Sequence, residues 1–185
     1  MTPPLAASLH VAAPSEDARP GFVRRVGPWD RQGLTRLYHE FAPLVHAVVL
    51  ARAPASEADD LVQETFVRAI RSIGSLRPDA QGDYPIGPWL ATIARNLATD
   101  RARRRARKAP EPRQGPLSSD PADLEALLRA LRQLPDSYAE PLILRLVHSM
   151  PGPRIAALLG MTPGSVRVNL HRGMELLRQK MGVER

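Results

Sequence analysis

The segment that most constrains this chain covers residues 88–108, PWLATIARNLATDRARRRARK. Its apolar residues recur at the spacing of one face of an α-helix: Trp89, Leu90, Ile93, Ala94 and Leu97. Gly87 and Pro88 mark its start, because proline suits the first helical turn. From Arg101 to Lys108 every charged residue is a cation. The pattern predicts a helix that is anchored in a core at its start and ends as a basic rod.

The same helix carries a second, polar face. It comprises Thr92, Arg95, Asn96, Thr99 and Arg103. Amide and guanidinium groups hydrogen-bond the edges of bases, and cations bind phosphates, so the face suits nucleic acid. The alternative is a solvated helix end that leads into a basic linker.

The charge and composition of the chain also favour a nucleic-acid partner. The chain has 26 Lys and Arg against 19 Asp and Glu, a net charge of +7, and the excess is concentrated near residues 95–113. A local cationic segment favours a polyanionic partner, with nucleic acid preferred over membrane. No apolar run approaches the roughly 20 residues of a membrane span, so we expect no membrane insertion. The absence of cysteine excludes disulfides and thiolate metal sites, and it fits a cytoplasmic protein.

We predict an all-α fold of two small helical domains joined by a flexible linker. A core of Leu, Val, Ala and Ile with only 4% aromatic residues favours helices. Residues 1–28, rich in Pro and Ala, are expected to be a disordered leader. Residues 110–121, rich in Pro, Gly and Ser, are expected to be the linker. The domains then cover residues 29–109 and 122–185. In the first, residues from Asp30 onward predict either two helices or one kinked at Pro43.

The next predicted helix, near residues 56–73, has two different faces. Ser56 is a candidate N-cap. The inner stripe comprises Val62, Phe66, Ala69, Ile70 and Ile73. The outer stripe comprises Asp60, Gln63, Glu64, Val67 and Arg71. An acidic, amide-bearing patch could dock on a basic partner surface, whereas the alternative is an ordinary solvated face.

The last part of the chain predicts a helix, a tight turn and a second helix. Gly160 is placed to close the first helix, and Thr162 is placed to cap the second, with Pro163 at its first position. Helical spacing leaves four side chains exposed early in the second helix: Arg167, Val168, His171 and Arg172. This is the arrangement of a helix-turn-helix that reads a major groove, and the alternative is a plain helical hairpin.

Four segments together carry a family resemblance: DDLVQETFVRA (59–69), PWLATIARNLATDRARR (88–104), LPDSYAEPLILRL (134–146) and SVRVNLHRGMELL (165–177). In this order, the chain resembles the extracytoplasmic-function (ECF) sigma factors of bacterial RNA polymerase. The resemblance implies a sigma region 2 helical bundle and a sigma region 4 helix-turn-helix. It implies a promoter-specificity subunit, which is not an enzyme and needs no cofactor or metal.

The resemblance also implies partners and site residues. The clamp helices of the polymerase's largest subunit would contact Asp60, Leu61, Gln63, Glu64 and Val67. The minus-ten element, which region 2 helps to melt, would be contacted by Arg95, Asn96, Thr99 and Arg103, with the loop at residues 75–86 beside them. DNA backbone contacts would come from Arg101, Arg104 and Arg105. The minus-thirty-five element would be contacted by Arg145, Arg167, Val168, His171 and Arg172. Further implied partners are the flap of the second-largest subunit and an anti-sigma factor.

Three departures from the family pattern bear on specificity. Residues 151–154 read Pro-Gly-Pro-Arg, where the family usually has a Ser-Tyr-Glu-Glu-like sequence. Val168 and Asn169 stand where Ser and Arg are usual. The loop sequence GDYPIG is not distinctive, so it leaves the flipped minus-ten base open.

The sequence also allows two rival functions. A stand-alone helix-turn-helix regulator would explain residues 122–182 but not the segments at 59–104. A nuclease could use Asp59, Asp60 and Glu64, but helical spacing turns Asp59 away from the other two carboxylates, and no further ligand is placed to complete a metal site.

Overall fold

The structure is a computed structural model that describes residues 31–80, 82–107 and 121–182. The described residues form seven α-helices: α1 (Arg31–Leu50), α2 (Ala58–Ser72), α3 (Ile86–Ala106), α4 (Pro121–Arg132), α5 (Asp136–Leu146), α6 (Gly152–Leu159) and α7 (Pro163–Met181). The predicted all-α class is confirmed. The predicted leader, residues 1–28, and the predicted linker up to residue 120 lie outside the described residues. None of the described helices combines the length and apolar character that crossing a bilayer requires.

Helix α1 runs without interruption through Pro43. Of the two predicted alternatives, the structure therefore has one helix. Its core side includes Leu44, Val45 and Val48, all of which are fully buried. Helices α2 and α3 pack against this helix and against each other. The three helices form the first half of the fold.

Helix α3 buries the stripe that its sequence predicts. Leu90, Ala94 and Leu97 lie in the core, and Trp89 and Ile93 pack at its edge. Ala91 and Ala98 are also fully buried. Alanines at these positions widen the buried face and let α3 lie close to its neighbours. The helix begins at Ile86, so Pro88 lies inside its first turn, as proline geometry permits.

The start and the inner face of α2 differ from the prediction. A 3₁₀ turn over Ala55–Glu57 precedes the helix and contains Ser56, so the N-cap position falls to Glu57, without a side-chain cap bond. The predicted inner residue Ile70 is 38% exposed. Leu61, predicted to face a partner, is fully buried, because α1 and α3 both pack on this side of α2.

Helices α4 to α7 form the second half of the fold, and their predicted turn chemistry is confirmed. Gly160 ends α6 with a left-handed φ of 67°. Thr162 caps α7, its Oγ1 accepting a hydrogen bond from the backbone N–H of Ser165 at 3.1 Å. Gly173 lies directly against Leu142 of α5, so the two helices approach closely. The predicted helix-turn-helix is present.

The two halves pack directly against each other. Helix α5 contacts α1, and helix α6 contacts α3. The approach is close at the end of α6, where a Cβ on Gly160 would lie 2.9 Å from Cγ of Pro88. The described halves therefore form one continuous body, with an internal interface.

Substitution of Gly160 by alanine tests this interface. Both Gly160 and Gly182 end helices with left-handed φ, but only Gly160 faces a neighbouring side chain, since nothing lies within 4 Å of Gly182. We expect Gly182→Ala to lower the free energy of unfolding by about 1 kcal/mol, from backbone strain alone. Gly160→Ala should cost about 1–3 kcal/mol more, because Pro88 must also move. Equal losses in chemical denaturation would mean that the halves do not touch here in solution.

Candidate nucleic-acid interface

The polar face of α3 lies largely at the surface. Asn96 and Arg103 are exposed, and Thr99 is partly buried beside them. Thr92, one turn before Asn96, is also exposed, but its hydroxyl donates to the backbone carbonyl of Pro88 at 2.9 Å. Asn96 is therefore the exposed amide on this face that can present both a donor and an acceptor to a base.

Arg95 is already engaged within the protein. Its Nε and Nη2 donate to the two carboxylate oxygens of Glu140, at 2.8 and 2.6 Å. This hydrogen-bonded pairing raises the pKa of Arg95, against the opposing effect of burial. Glu140 lies on α5, in the other half of the protein, and is buried. In this arrangement the guanidinium of Arg95 cannot offer the same two donors to DNA.

Glu140 is absent from the predicted site residues, although its surroundings carry a signal. It lies in the run Ala139–Leu144, whose members are all buried. A carboxylate in such a position needs a charged partner. The sequence indicates that a partner exists but not which arginine provides it.

The basic end of α3 is partly neutralised by an acid from the turn before α2. Glu57 accepts a hydrogen bond from Nη1 of Arg105 at 2.8 Å, and Nε of Arg101 lies 3.9 Å from its other carboxylate oxygen. Arg103 and Arg104 are exposed, with no carboxylate partner among the residues that the structure describes. The four arginines at this end of α3, Arg103 and the three predicted backbone contacts, are therefore not equivalent.

Helix α2 presents a mixed acidic and apolar face. Asp60 and Gln63 are exposed, and Val67 is 44% exposed. Glu64 pairs with Arg68 of the next turn at 2.7 Å. Leu61, also predicted to contact a partner, is fully buried and is not accessible in this conformation. The other four predicted contact residues share an accessible surface.

The surface of α7 that is predicted to contact DNA is exposed to solvent. Its four residues, Arg167, Val168, His171 and Arg172, are all exposed. Nε2 of His171 lies 3.4 Å from the carboxylate of Glu175 on the next turn, an exposed pair. Arg145, at the end of α5, is exposed and donates to the carbonyl of Met150 at 3.1 Å.

The residues at the start of α6 that depart from the family pattern have a structural role. Gly152 begins the helix and Pro153 lies within its first two positions, where proline is favourable. Arg154 Nη2 pairs with Glu40 of α1 at 2.8 Å. The cation that departs from the family pattern therefore contacts the other half of the protein.

A histidine pair lies at the interface between the halves. Nδ1 of His46 on α1 lies 3.1 Å from Nε2 of His148, which follows α5. Burial lowers the pKa of His46, and the opposing effect of nearby Asp59 is smaller. The pKa of His148 is lowered by burial and by His46. The structure therefore favours the uncharged forms of both rings.

Mild acidification is expected to destabilise the protein through this pair. An unfolded histidine takes up its proton near pH 6.5, before the folded His46 and His148 do, so the free energy of unfolding should fall as pH drops below about 6.5. Chemical denaturation between pH 7.5 and 5.5 measures the slope. The double variant His46→Gln/His148→Gln should flatten it, whereas the same change at exposed His39 should not. An unchanged slope in the double variant would assign the pH dependence to other groups.

The nuclease alternative needs the carboxylates of α2 to share a metal site with other groups. Among the described residues, no group of three His, Cys, Asp or Glu side chains is placed to hold a metal ion. The part of the chain that the structure describes therefore offers no support for the nuclease alternative.

Comparison with known proteins agrees with this geometry. Residues 37–108 match the sequence profile of Sigma-70 region 2, and residues 124–177 match that of Sigma-70, region 4. The first match covers most of α1 and all of α2 and α3, and the second includes the helix-turn-helix. A stand-alone helix-turn-helix regulator would not account for the first match.

Individual relatives are RNA polymerase sigma factors. The chain is 37% identical over 134 residues to the RNA polymerase sigma factor CarQ of Myxococcus xanthus, covering 68% of this chain and 75% of CarQ. It is 34% identical over 138 residues to the ECF RNA polymerase sigma factor SigE of Mycolicibacterium smegmatis, covering 66% of this chain and 51% of SigE.

Among solved structures, CnrH in complex with the cytosolic domain of CnrY shares the fold. The TM-score is 0.53 and the identity 24%, covering 85% of this chain and 92% of CnrH. The two profile matches and the sigma-factor relatives establish the function that the four sequence segments predict. The chain belongs to the ECF family of RNA polymerase sigma factors, which direct core polymerase to specific promoters.

Proposed function

We propose that this sigma factor reads its promoter with two separate helix faces, one on α3 and one on α7. The observation that carries the proposal is that each half of the protein presents exposed cationic and hydrogen-bonding side chains on one helix. Minus-ten contacts come from the α3 face, and minus-thirty-five contacts come from the α7 face. The protein itself catalyses no reaction and acts in the cytoplasm, where it binds polymerase.

The minus-ten face divides into a selective part and a phosphate-binding part. Asn96 and Thr99 present hydrogen-bonding groups that can distinguish bases, with the loop at residues 75–86 beside them. Arg103 and Arg104 supply phosphate affinity without sequence preference. Arg95 joins the selective part once Glu140 releases it. Melting of this element requires unstacking of a base, which costs a few kcal/mol that pocket and backbone contacts can offset.

The minus-thirty-five face lies at the start of α7. Its N-terminal position is where a recognition helix contacts base edges in the major groove. Arg167 and Arg172 suit guanine or phosphate, and the exposed methyl groups of Val168 suit a thymine methyl. His171, on the same face, and Arg145, at the end of α5, complete the proposed contacts with this element.

Docking on core polymerase is assigned to the exposed surface of α2. Asp60, Gln63 and Glu64 offer acceptors beside the apolar Val67, which is the composition that fits a basic, partly apolar helix. Leu61 supports this surface from within the core and does not take part in the contact. The basic partner surface is that of the clamp helices.

Run-off transcription with core polymerase and a randomised promoter library tests the proposal. The wild-type protein should enrich a minus-ten and a minus-thirty-five motif at a fixed separation. Substitution of Val168 by serine should change only the second motif. The absence of any transcript from folded, inhibitor-free protein would contradict the proposal.

The salt dependence of DNA binding distinguishes the arginines of α3 that contact phosphates from the one that Glu57 already neutralises. We expect Arg103→Gln and Arg104→Gln each to lower the slope of log K against log salt by about 1, because each removes one phosphate contact. Arg105→Gln is the matched control and should have a smaller effect, because Glu57 already neutralises Arg105. Titrations of holoenzyme with labelled promoter at several salt concentrations measure the slopes. Equal slopes for all three variants would mean that Glu57 releases Arg105 on binding.

A further inference from the structure

A cluster of charges around a buried carboxylate joins the two halves of the protein. Its acids, Glu140 and Asp136, lie on α5. Its cations are Arg95 on α3 and Arg52, just beyond the end of α1. The Glu140 side chain is 4% exposed and accepts hydrogen bonds from Arg95 and from Nη1 of Arg52, the latter at 3.0 Å. Arg52 also pairs with Asp136.

We propose that Glu140 competes with promoter DNA for Arg95, so that the closed arrangement of the two halves is an inactive state of the free protein. The inference rests on the assignment of Arg95 to the minus-ten face. In this inference Glu140, in the half that reads the minus-thirty-five element, controls whether DNA can reach Arg95 in the other half.

The geometry makes the two uses of Arg95 mutually exclusive. A bidentate guanidinium–carboxylate pair uses the same parallel donors that a guanidinium offers to a base edge or a phosphate. Glu140 occupies Nε and Nη2 of Arg95 at hydrogen-bonding distance. DNA can take these donors only after Glu140 has released them, which separation of the two halves achieves.

The buried charge of Glu140 is stabilised only in the closed state. A buried carboxylate is stable only when charged donors surround it, and both arginines that donate to it come from the other half. When the halves separate, water can solvate Glu140 and DNA can neutralise Arg95. Opening therefore exchanges one set of partners for another and leaves neither charge buried and unpaired.

Other contacts across the interface hold the halves in register. Arg154 pairs with Glu40, and Nη1 of Arg132 donates to the carbonyl of Ala53 at 3.2 Å. With the contact of Gly160 on Pro88, these interactions join α4 and α6 to α1, to the residues just after α1 and to α3. The closed state thus has a defined geometry in which Glu140 faces Arg95.

Fluorescence energy transfer in the full chain tests the closed state. The chain has no cysteine, so Arg71→Cys and Gln179→Cys, both at exposed positions, can carry a donor and an acceptor dye. Glu140→Gln weakens the cluster from the second half. Arg52→Gln weakens it from the first half and leaves Arg95 intact. Asp59→Asn is the matched control, because it removes the same charge at an exposed residue of α2 that makes no ion pair with the cluster.

DNA access is measured on the same proteins, without polymerase. The probe is a fluorescein-labelled single-stranded 12-mer of random sequence, followed by anisotropy. We expect Glu140→Gln and Arg52→Gln each to reduce energy transfer and to raise affinity for the probe about tenfold, because each shifts the population toward the open form. Asp59→Asn should change neither quantity. Circular dichroism verifies that each variant is folded.

Two results would overturn the inference. Unchanged energy transfer in both cluster variants would mean that the cluster does not hold the halves together. Reduced transfer with wild-type affinity for the probe would mean that Glu140 does not mask a DNA-binding group. The proposed promoter function is judged separately by run-off transcription, which can fail while the closed state persists.

Discussion

The double substitution Asp60→Lys/Glu64→Lys is expected to weaken binding to core polymerase about 100-fold, which corresponds to about 2.8 kcal/mol. The two carboxylates lie one turn apart on the open face of α2, beside Gln63 and the exposed Val67. Lysines in their place would meet a basic clamp helix with like charge. Titration of the labelled sigma factor with core polymerase measures the loss, and transcription from every promoter should fall in parallel.

A neighbouring acid on the same helix provides the control. Asp59 is exposed, but it lies on a different face of α2 from Asp60 and Glu64. Asp60→Lys alone should weaken binding about tenfold, whereas Asp59→Lys should change it less than about twofold. Similar losses for the two single variants would show that polymerase responds to overall charge, and the assigned face would be wrong. Glu64→Lys also places a second cation beside Arg68, but such a helical pair costs only about 0.2–0.5 kcal/mol.

Features that depend on local physics could be predicted from the sequence. The turn between α6 and α7 is an example, because Gly160 and Thr162 act on backbone groups only a few residues away. The same holds for α3, whose apolar stripe and polar face follow from helical spacing. Such interactions need no knowledge of what lies across the core.

The packing of α2 shows why helical spacing alone is insufficient to predict which residues are buried. Its apolar residues cover more than one stripe, and the sequence does not say which of them α1 and α3 will cover. The structure buries Leu61 and leaves Ile70 partly exposed. This rotation of the buried face removes one residue from the predicted polymerase contact and leaves the acidic residues accessible.

Long-range pairing was the part that the sequence could not provide. Arg95 and Glu140 are separated by 45 positions, and no local rule selects one arginine among many as the partner of a buried acid. Arg154 is a similar case. It departs from the family pattern, and its partner Glu40 lies 114 positions away. Both pairs join the two halves, so the sequence predicts each half better than it predicts their interface.

Replacement of Asn96 by alanine is expected to change which minus-ten sequences this sigma factor uses. An amide that bonds a base contributes about 1–3 kcal/mol of discrimination, so transcription from promoters with the preferred base should fall about 10- to 100-fold. Promoters with other bases at that position should be nearly unaffected. Sequencing of transcripts from a library randomised across the minus-ten element measures both effects in one experiment.

Thr92→Ala is the matched control, because Thr92 is exposed one turn earlier on the same face and its hydroxyl is bonded to Pro88. It should leave the enriched motif unchanged. Arg104→Gln should lower output from all promoters alike, since phosphate contacts carry no sequence information. If Asn96→Ala also acted uniformly, Asn96 would be another backbone contact. Selectivity would then have to come from the loop at residues 75–86 and from Arg95 after its release from Glu140.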